Sequence, residues 1–115
     1  MKKERRNYVL YLEDILLAMN RIAEYIEGHS LEGFKKDYKT VDAVIRNFEV
    51  IGEASKNIAI SLKEKYPDVP WQEMYSLRNK ISHEYFGIDY EIIWDLAYNY
   101  LPENKKQISE VIVNL

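Results

Sequence analysis

Apolar residues in this chain return at steps of three and four over two long stretches, and that rhythm admits few folds. After Tyr8 they fall at Leu12, Ile15, Met19, Ile22 and Ile26, and after Val41 at Val44, Phe48, Ile51, Ser55, Ile58 and Leu62, where the small Ser55 keeps the register. Such spacing draws one stripe along a helix of 3.6 residues per turn; a strand, with its period of two, cannot gather it on one face. No alternating strand pattern occurs anywhere. The stops are equally plain. Gly28 suits the left-handed position after the first helix, and Ser30 is placed to cap a brief turn carrying Leu31 and Phe34. The second long helix is predicted from about Thr40 to Tyr66, where Pro67 pushes the residue before it out of the helical region. Gly52 in its middle costs about 1 kcal/mol relative to alanine, which implies close approach of another helix. Pro70 opens a third helix from its first position, turns Trp71, Met74, Leu77 and Ile81 inward, and the helix ends near Gly87. Asp89 caps a fourth helix through Trp94, Ala97 and Leu101, with Ile88 stapling onto Ile93. Pro102 breaks it, and a short terminal helix turns Ile108, Ile112 and Leu115 inward. The expected architecture is all-α: an up-and-down bundle of four to five helices whose short connections make neighbours antiparallel.

A chain of 115 residues makes one domain, residues 1–115, with room for a real core and not for two. Cysteine is absent, which removes disulfides and thiolate metal sites and fits a reducing cytoplasm. The basic start, Met-Lys-Lys-Glu-Arg-Arg, leads into a helix interrupted by Glu13, Asp14, Arg21 and Glu24 rather than a signal-type apolar core. No run approaches the length needed to span a membrane. A net charge of -3 and a pI near 5.4 argue against a protein that coats nucleic acid by bulk electrostatics, while leaving a local basic pocket open. Ten tyrosines and two tryptophans give wet aromatic surfaces of the kind found at interfaces, which points to self-association.

Chemistry outruns packing in one stretch, Arg78 to Tyr85, which reads Arg-Asn-Lys-Ile-Ser-His-Glu-Tyr. A fixed cation, an amide, a group that titrates near neutrality and a phenol lie together, a set suited to a phosphate. In a regular helix Arg78 and His83 point about 140° apart, so they cannot face one target directly. Three arrangements reunite them: the helix loosens at His83, the arginine wraps around, or a second copy of the chain completes the site. Asn79 and His83, four apart, share a face. His29, the other histidine, sits beside Gly28 with no second ligand spaced for a metal, and reads as an ordinary loop residue. Glu53, with Arg46, Lys56 and Asn57, lines a cleft or forms a solvated face, and charge on a long helix is more often solvated.

The run Leu-Arg-Asn-Lys-Ile-Ser-His-Glu-Tyr-Phe-Gly-Ile-Asp, residues 77–89, resembles the Arg-x4-His-x-Tyr signature of HepT-like proteins in the HEPN superfamily. Ile51-Gly52-Glu53-Ala54, Pro70-Trp71, Ile93-Trp94 and Leu101-Pro102 also look like that family, so the likeness covers nearly the whole chain. The resemblance implies a dimeric helical bundle acting as a metal-independent ribonuclease, with no cofactor and with its cleft at the dimer interface. It further implies the role of toxin beside a minimal nucleotidyltransferase antitoxin. The family pattern places its catalytic arginine on Arg78, the neighbouring polar residue on Asn79 and its catalytic histidine on His83. Tyr85 matches the tyrosine that the antitoxin adenylylates.

Two function classes follow. One is an RNA-cleaving enzyme, favoured by the motif. The other is a catalytically weak helical module whose business is binding a nucleotidyltransferase, favoured by the acidic net charge and by the lack of an evident RNA-tracking groove. RNA cleavage in EDTA by the isolated chain, set against His83→Ala, separates them.

Overall fold

The computed structural model describes the backbone of residues 2–82 and 89–115 and the side chains of residues 8–77 and 89–115. The chain runs α1 (Lys2–Ile26), α2 (Leu31–Lys36), α3 (Tyr38–Lys56), α4 (Ile60–Lys65), α5 (Trp71–Ser82), α6 (Tyr90–Asp95), a π turn (Leu96–Tyr100) and α7 (Leu101–Val113), with no strand among the described residues. This is the expected all-α bundle. α1 lies against α3, α7 and the π turn, α3 also against α5, and α2 bridges α3 and α6.

The two long stripes form the centre. Leu12, Ile15, Met19 and Ile22 of α1 meet Val41, Val44, Phe48 and Ile51 of α3, all essentially inaccessible to water. Gly52 is buried within α3, a helix that packs on both α1 and α5. Two buried polar groups on α3 are satisfied inside their own helix: Ser55 Oγ donates to the Ile51 carbonyl at 2.7 Å and Asn47 Nδ2 to the Ala43 carbonyl at 2.8 Å.

The second long helix is not continuous. α3 stops at Lys56, and the chain restarts as α4 at Ile60. Asn57 turns its side-chain amide back to the Glu53 carbonyl at 3.0 Å, its own N–H bonds Ala54 and Ser55, and Ala59 is extended. An asparagine that offers the backbone this local alternative ends a helix readily. The stripe survives the break because Ile58, within it, and Leu62, beyond it, are both buried. Pro67 acts as expected: Tyr66, just before it, leaves the helical region at φ -127, ψ 67.

Pro70 stands one residue earlier than expected, as the cap whose carbonyl accepts from Met74 N at 2.9 Å, and α5 proper starts at Trp71. Trp71 fixes this corner by donating Nε1–H to the Tyr66 carbonyl at 2.9 Å, and Gln107 of α7 donates to the Asp68 carbonyl at 3.0 Å. The inward placement of Ile81, the helix end near Gly87 and the staple by Ile88 lie outside the described residues.

Pro102 does not break the fourth helix. Asp95, Leu96 and Leu101 all keep right-handed helical backbone angles, and α6 passes through the π turn into α7 with Pro102 in the first turn of α7. Proline has no N–H and its ring collides with the carbonyl four residues back. The wider turn accommodates it, with Leu101 N–H reaching the Leu96 carbonyl five residues earlier. In α7 the buried residues are Leu101, Ile108 and Val111; Ile112 and Leu115 are only half-buried at the edge of the core.

Gly28 takes the left-handed conformation, φ 79, after α1. Beyond it Ser30 Oγ accepts from Gly33 N at 3.0 Å to cap α2, and Asp37 caps α3. Asp37 is the hub of this corner. It accepts from Thr40 N and Thr40 Oγ1, at 3.2 and 2.7 Å, and lies 3.2 Å from His29 Nε2. Those hydrogen bonds, Thr40 Oγ1 first, hold its carboxyl down at about 2. His29 thus has a structural partner in Asp37 at Nε2, while its buried Nδ1 meets none among the described residues, and no three His, Asp or Glu side chains among the described residues converge to hold a metal. No helix among them is long and apolar enough to cross a membrane.

Candidate active site

α5 carries the motif, and packing decides how α5 is turned. Trp71, Met74 and Leu77 follow at steps of three and are buried, which sets the rotation of the helix against α3. Arg78 and Asn79 come directly after Leu77 on the described backbone of α5. Their side chains, and all of His83 and Tyr85, lie outside the described residues. The angle between Arg78 and His83 therefore stays an expectation of regular helix geometry.

Glu53 is exposed on α3, and with Arg46, Glu49 and Val50 it lines a hollow of about 290 Å³. These four positions follow one another at helical steps on a single side of α3. Glu53 is two residues beyond the buried Ile51, so it points about 200° away from it. The expected group is thus divided: Arg46 and Glu53 share the hollow, whereas Lys56 and Asn57 stand exposed where α3 ends.

A larger cavity, of about 700 Å³, was not visible in the sequence. Its apolar wall comes from Met19 of α1, Phe48 and Ile51 of α3, and Met74 and Leu77 of α5. Polar groups gather at Glu73, Asp95, Tyr100 and Asn104, from α5, α6, the π turn and α7. Each of these reads in the sequence as an ordinary surface residue, and no spacing links them. An apolar hollow with a few convergent polar groups is the usual form of a small-ligand site. This one shares Leu77 with the helix that bears Arg78 and Asn79.

A second feature also escaped the sequence. Phe34 of α2, Trp94 of α6 and Tyr98 of the π turn form a ladder of rings, with centroids 5.4 Å apart at each step. Trp94 is half-buried between the fully buried Phe34 and the exposed Tyr98.

Fold and motif together define a class: an all-α bundle in which a helix anchored by a buried stripe leads into an Arg-x4-His-x-Tyr run. Residues 15–111 match the model of the family described as "Ribonuclease HepT-like". The chain belongs to the HepT-like ribonuclease family. It is 48% identical over 105 residues to a Methanocaldococcus jannaschii protein named "Putative RNase MJ0127", covering 91% of this chain and 87% of the relative. It is 42% identical over 102 residues to "Putative RNase TTE0752" of Caldanaerobacter subterraneus subsp. tengcongensis, 89% of this chain and 91% of the relative. It is 40% identical over 107 residues to "Probable ribonuclease HepT" of Thermococcus cleftensis, 93% of this chain and 97% of the relative. No solved structure matches.

Proposed function

We propose that this protein is an endoribonuclease, one domain over residues 1–115, that cuts RNA without a metal by using the RNA's own 2′-OH as nucleophile. The observation that carries this reading is membership of the HepT-like family across residues 15–111 together with the Arg-x4-His-x-Tyr run at Arg78, His83 and Tyr85.

The chemistry asks little of the protein. The 2′-oxygen attacks the adjacent phosphorus and loses its proton, the bond to the 5′-oxygen breaks, and that oxygen gains a proton. His83 moves one of these protons as base or acid, a role worth about 10² to 10⁴ in rate. Arg78 stabilises the charge that builds on the phosphorane, and Asn79 orients the phosphate or the imidazole. Two copies of the chain facing one another supply two histidines, one for each proton. A homodimer thus provides what a single regular helix, with Arg78 and His83 about 140° apart, does not. Glu53 belongs to the rim of this cleft.

In this reading the protein acts in the cytoplasm as the toxin of a pair, and a cognate minimal nucleotidyltransferase silences it by adenylylating Tyr85. The added phosphate and nucleoside oppose RNA by charge and bulk. The test is cleavage of single-stranded RNA in EDTA by the purified chain. Arg78→Ala and His83→Ala are each expected to lose at least about 10² in rate while the helical circular dichroism is unchanged. Folded variants that cut at the parent rate overturn the assignment. The net charge of -3 favours a second reading, a weakly catalytic module that binds the nucleotidyltransferase, and parent protein that cuts no RNA decides for it.

A further inference from the structure

Cleavage chemistry at Arg78 and His83 handles phosphate and ribose and is blind to the base. We propose that the cavity of about 700 Å³ holds one unpaired guanine base of the RNA and so gives the enzyme a base preference, an inference that rests on the ribonuclease reading.

The walls select first for a ring. Core side chains such as Met19, Phe48 and Met74 close the hollow from behind, and the apolar surface left accessible, at Pro70, Ile92, Leu96 and Tyr100, takes a flat, uncharged ring. No lysine, arginine or histidine lies among the described residues that line it. The exposed Glu73 and Asp95 carboxylates on its lining repel a phosphate, and the part of a nucleotide that enters is the base. Single-stranded RNA permits this, since its unstacked bases can splay out and offer their edges.

The polar groups then select among bases. Glu73 and Asp95 are exposed carboxylates in the cavity lining, and neither has an ion-pair partner among the described residues. Asp95 Oδ1 accepts from Asn99 Nδ2, which orients the carboxylate and leaves acceptor capacity on it. An ionised carboxylate accepts hydrogen bonds and donates none. Among the four RNA bases only guanine presents two adjacent donors, N1–H and the exocyclic amine, that match two carboxylate oxygens side by side. Adenine and cytosine each pair one donor with an acceptor on that edge, and uracil sets its single donor between two carbonyls. The Asn104 amide supplies a donor for the guanine carbonyl, and the Tyr100 ring offers an aromatic surface.

Position links the pocket to the cut. Glu73 and Leu77 precede Arg78 on α5 by five residues and by one, so the pocket lies within about 7.5 Å of rise along the helix from the Arg78 backbone. A base held there keeps its own phosphates near the arginine-bearing turn.

The test uses the full chain labelled at its methionine methyls, because Met19 and Met74 both line the cavity. GMP, AMP, CMP, UMP and IMP are titrated in turn, and single-stranded oligonucleotides carrying one G in a run of U are cut in parallel. GMP is expected to shift both methyl signals, whereas AMP, CMP and UMP leave them in place over the same range. IMP, which lacks the exocyclic amine, binds about tenfold more weakly. Glu73→Gln combined with Asp95→Asn loses at least about tenfold in GMP affinity with unchanged circular dichroism, and loses the preference for G in cleavage. The proposal is overturned if GMP shifts neither methyl or if all the nucleotides shift them alike, whether or not RNA is cut. It is also overturned if a lysine-rich amphipathic peptide shifts them and GMP does not. Selective GMP binding without any RNA cleavage supports the guanine site and removes the ribonuclease reading instead.

Discussion

At the scale of single residues, the described part of the molecule concentrates its polar organisation at Asp37, which ends α2, caps α3 and holds His29. Its carboxyl titrates at about 2, against an ordinary 3.8. A carboxyl that is harder to protonate folded than unfolded stabilises the fold when ionised. That contribution is complete above about pH 4 and is lost as the pH falls through about 2. Asp37→Ala is therefore expected to lower the thermal midpoint at pH 7. The gap between variant and parent should close as the pH is taken from 4 toward 2, as read by circular dichroism. A gap that keeps its full size down to pH 2 contradicts the role given to the Thr40 and His29 hydrogen bonds. Sequence suggested only half of this: His29 reads as a loop residue, which is where it lies, but Asp37 carries no sign in the sequence that its carboxylate takes three hydrogen bonds from Thr40 and His29.

Among the elements, α3 shows how one helix separates packing from polarity. Phe48 and Ser55 lie on the same stripe and both are inaccessible to water, yet their removal has different consequences. Phe48→Ala leaves a void among α1 and α3 side chains and is expected to cost about 3–5 kcal/mol. Ser55→Ala removes a hydroxyl whose acceptor, the Ile51 carbonyl, is already placed to receive a helical N–H, and its expected effect stays within about 1 kcal/mol. Urea unfolding of the two variants measures both. Equal losses would mean that the Ser55 hydroxyl does more than back-bond within its helix. The π turn makes a related point, since a proline that reads as a helix end is carried within one by widening the turn before it.

For the whole molecule, the composite cleft proposed above is built by two copies. A symmetric homodimer is expected in solution at micromolar concentration, and light scattering measures it directly. Adenylylation at Tyr85 by a cognate nucleotidyltransferase with ATP and magnesium is expected to add mass and end RNA cleavage while the dimer persists. Tyr85→Phe should gain no mass. A strict monomer that still cuts RNA removes the composite site, and a modified protein that cuts at full rate removes the switch.

The sequence by itself determined which faces of the two long stretches are buried and where two of the helices stop, because both are local properties. A stripe at steps of three and four needs only helical geometry, as Leu12 to Ile26 and Val41 to Leu62 show. Gly28, Ser30, Pro67 and Asp89 act on the backbone within a few residues of themselves. The motif from Arg78 to Tyr85 was legible for a similar reason, since its residue types lie side by side in the chain. Tertiary structure decided the rest. Whether a helix bends at Asn57 or carries on past Pro102 depends on whether Ile58, Leu62, Leu101 and Ile108 still reach the core afterwards. Val111 rather than Ile112 is the residue buried near the end, a matter of how α7 is rotated against α1. The cavity of about 700 Å³ draws Met19, Phe48, Glu73, Asp95 and Asn104 from five separate elements. A concavity of that kind belongs to no stretch of chain, and it exists only once packing has brought those elements together.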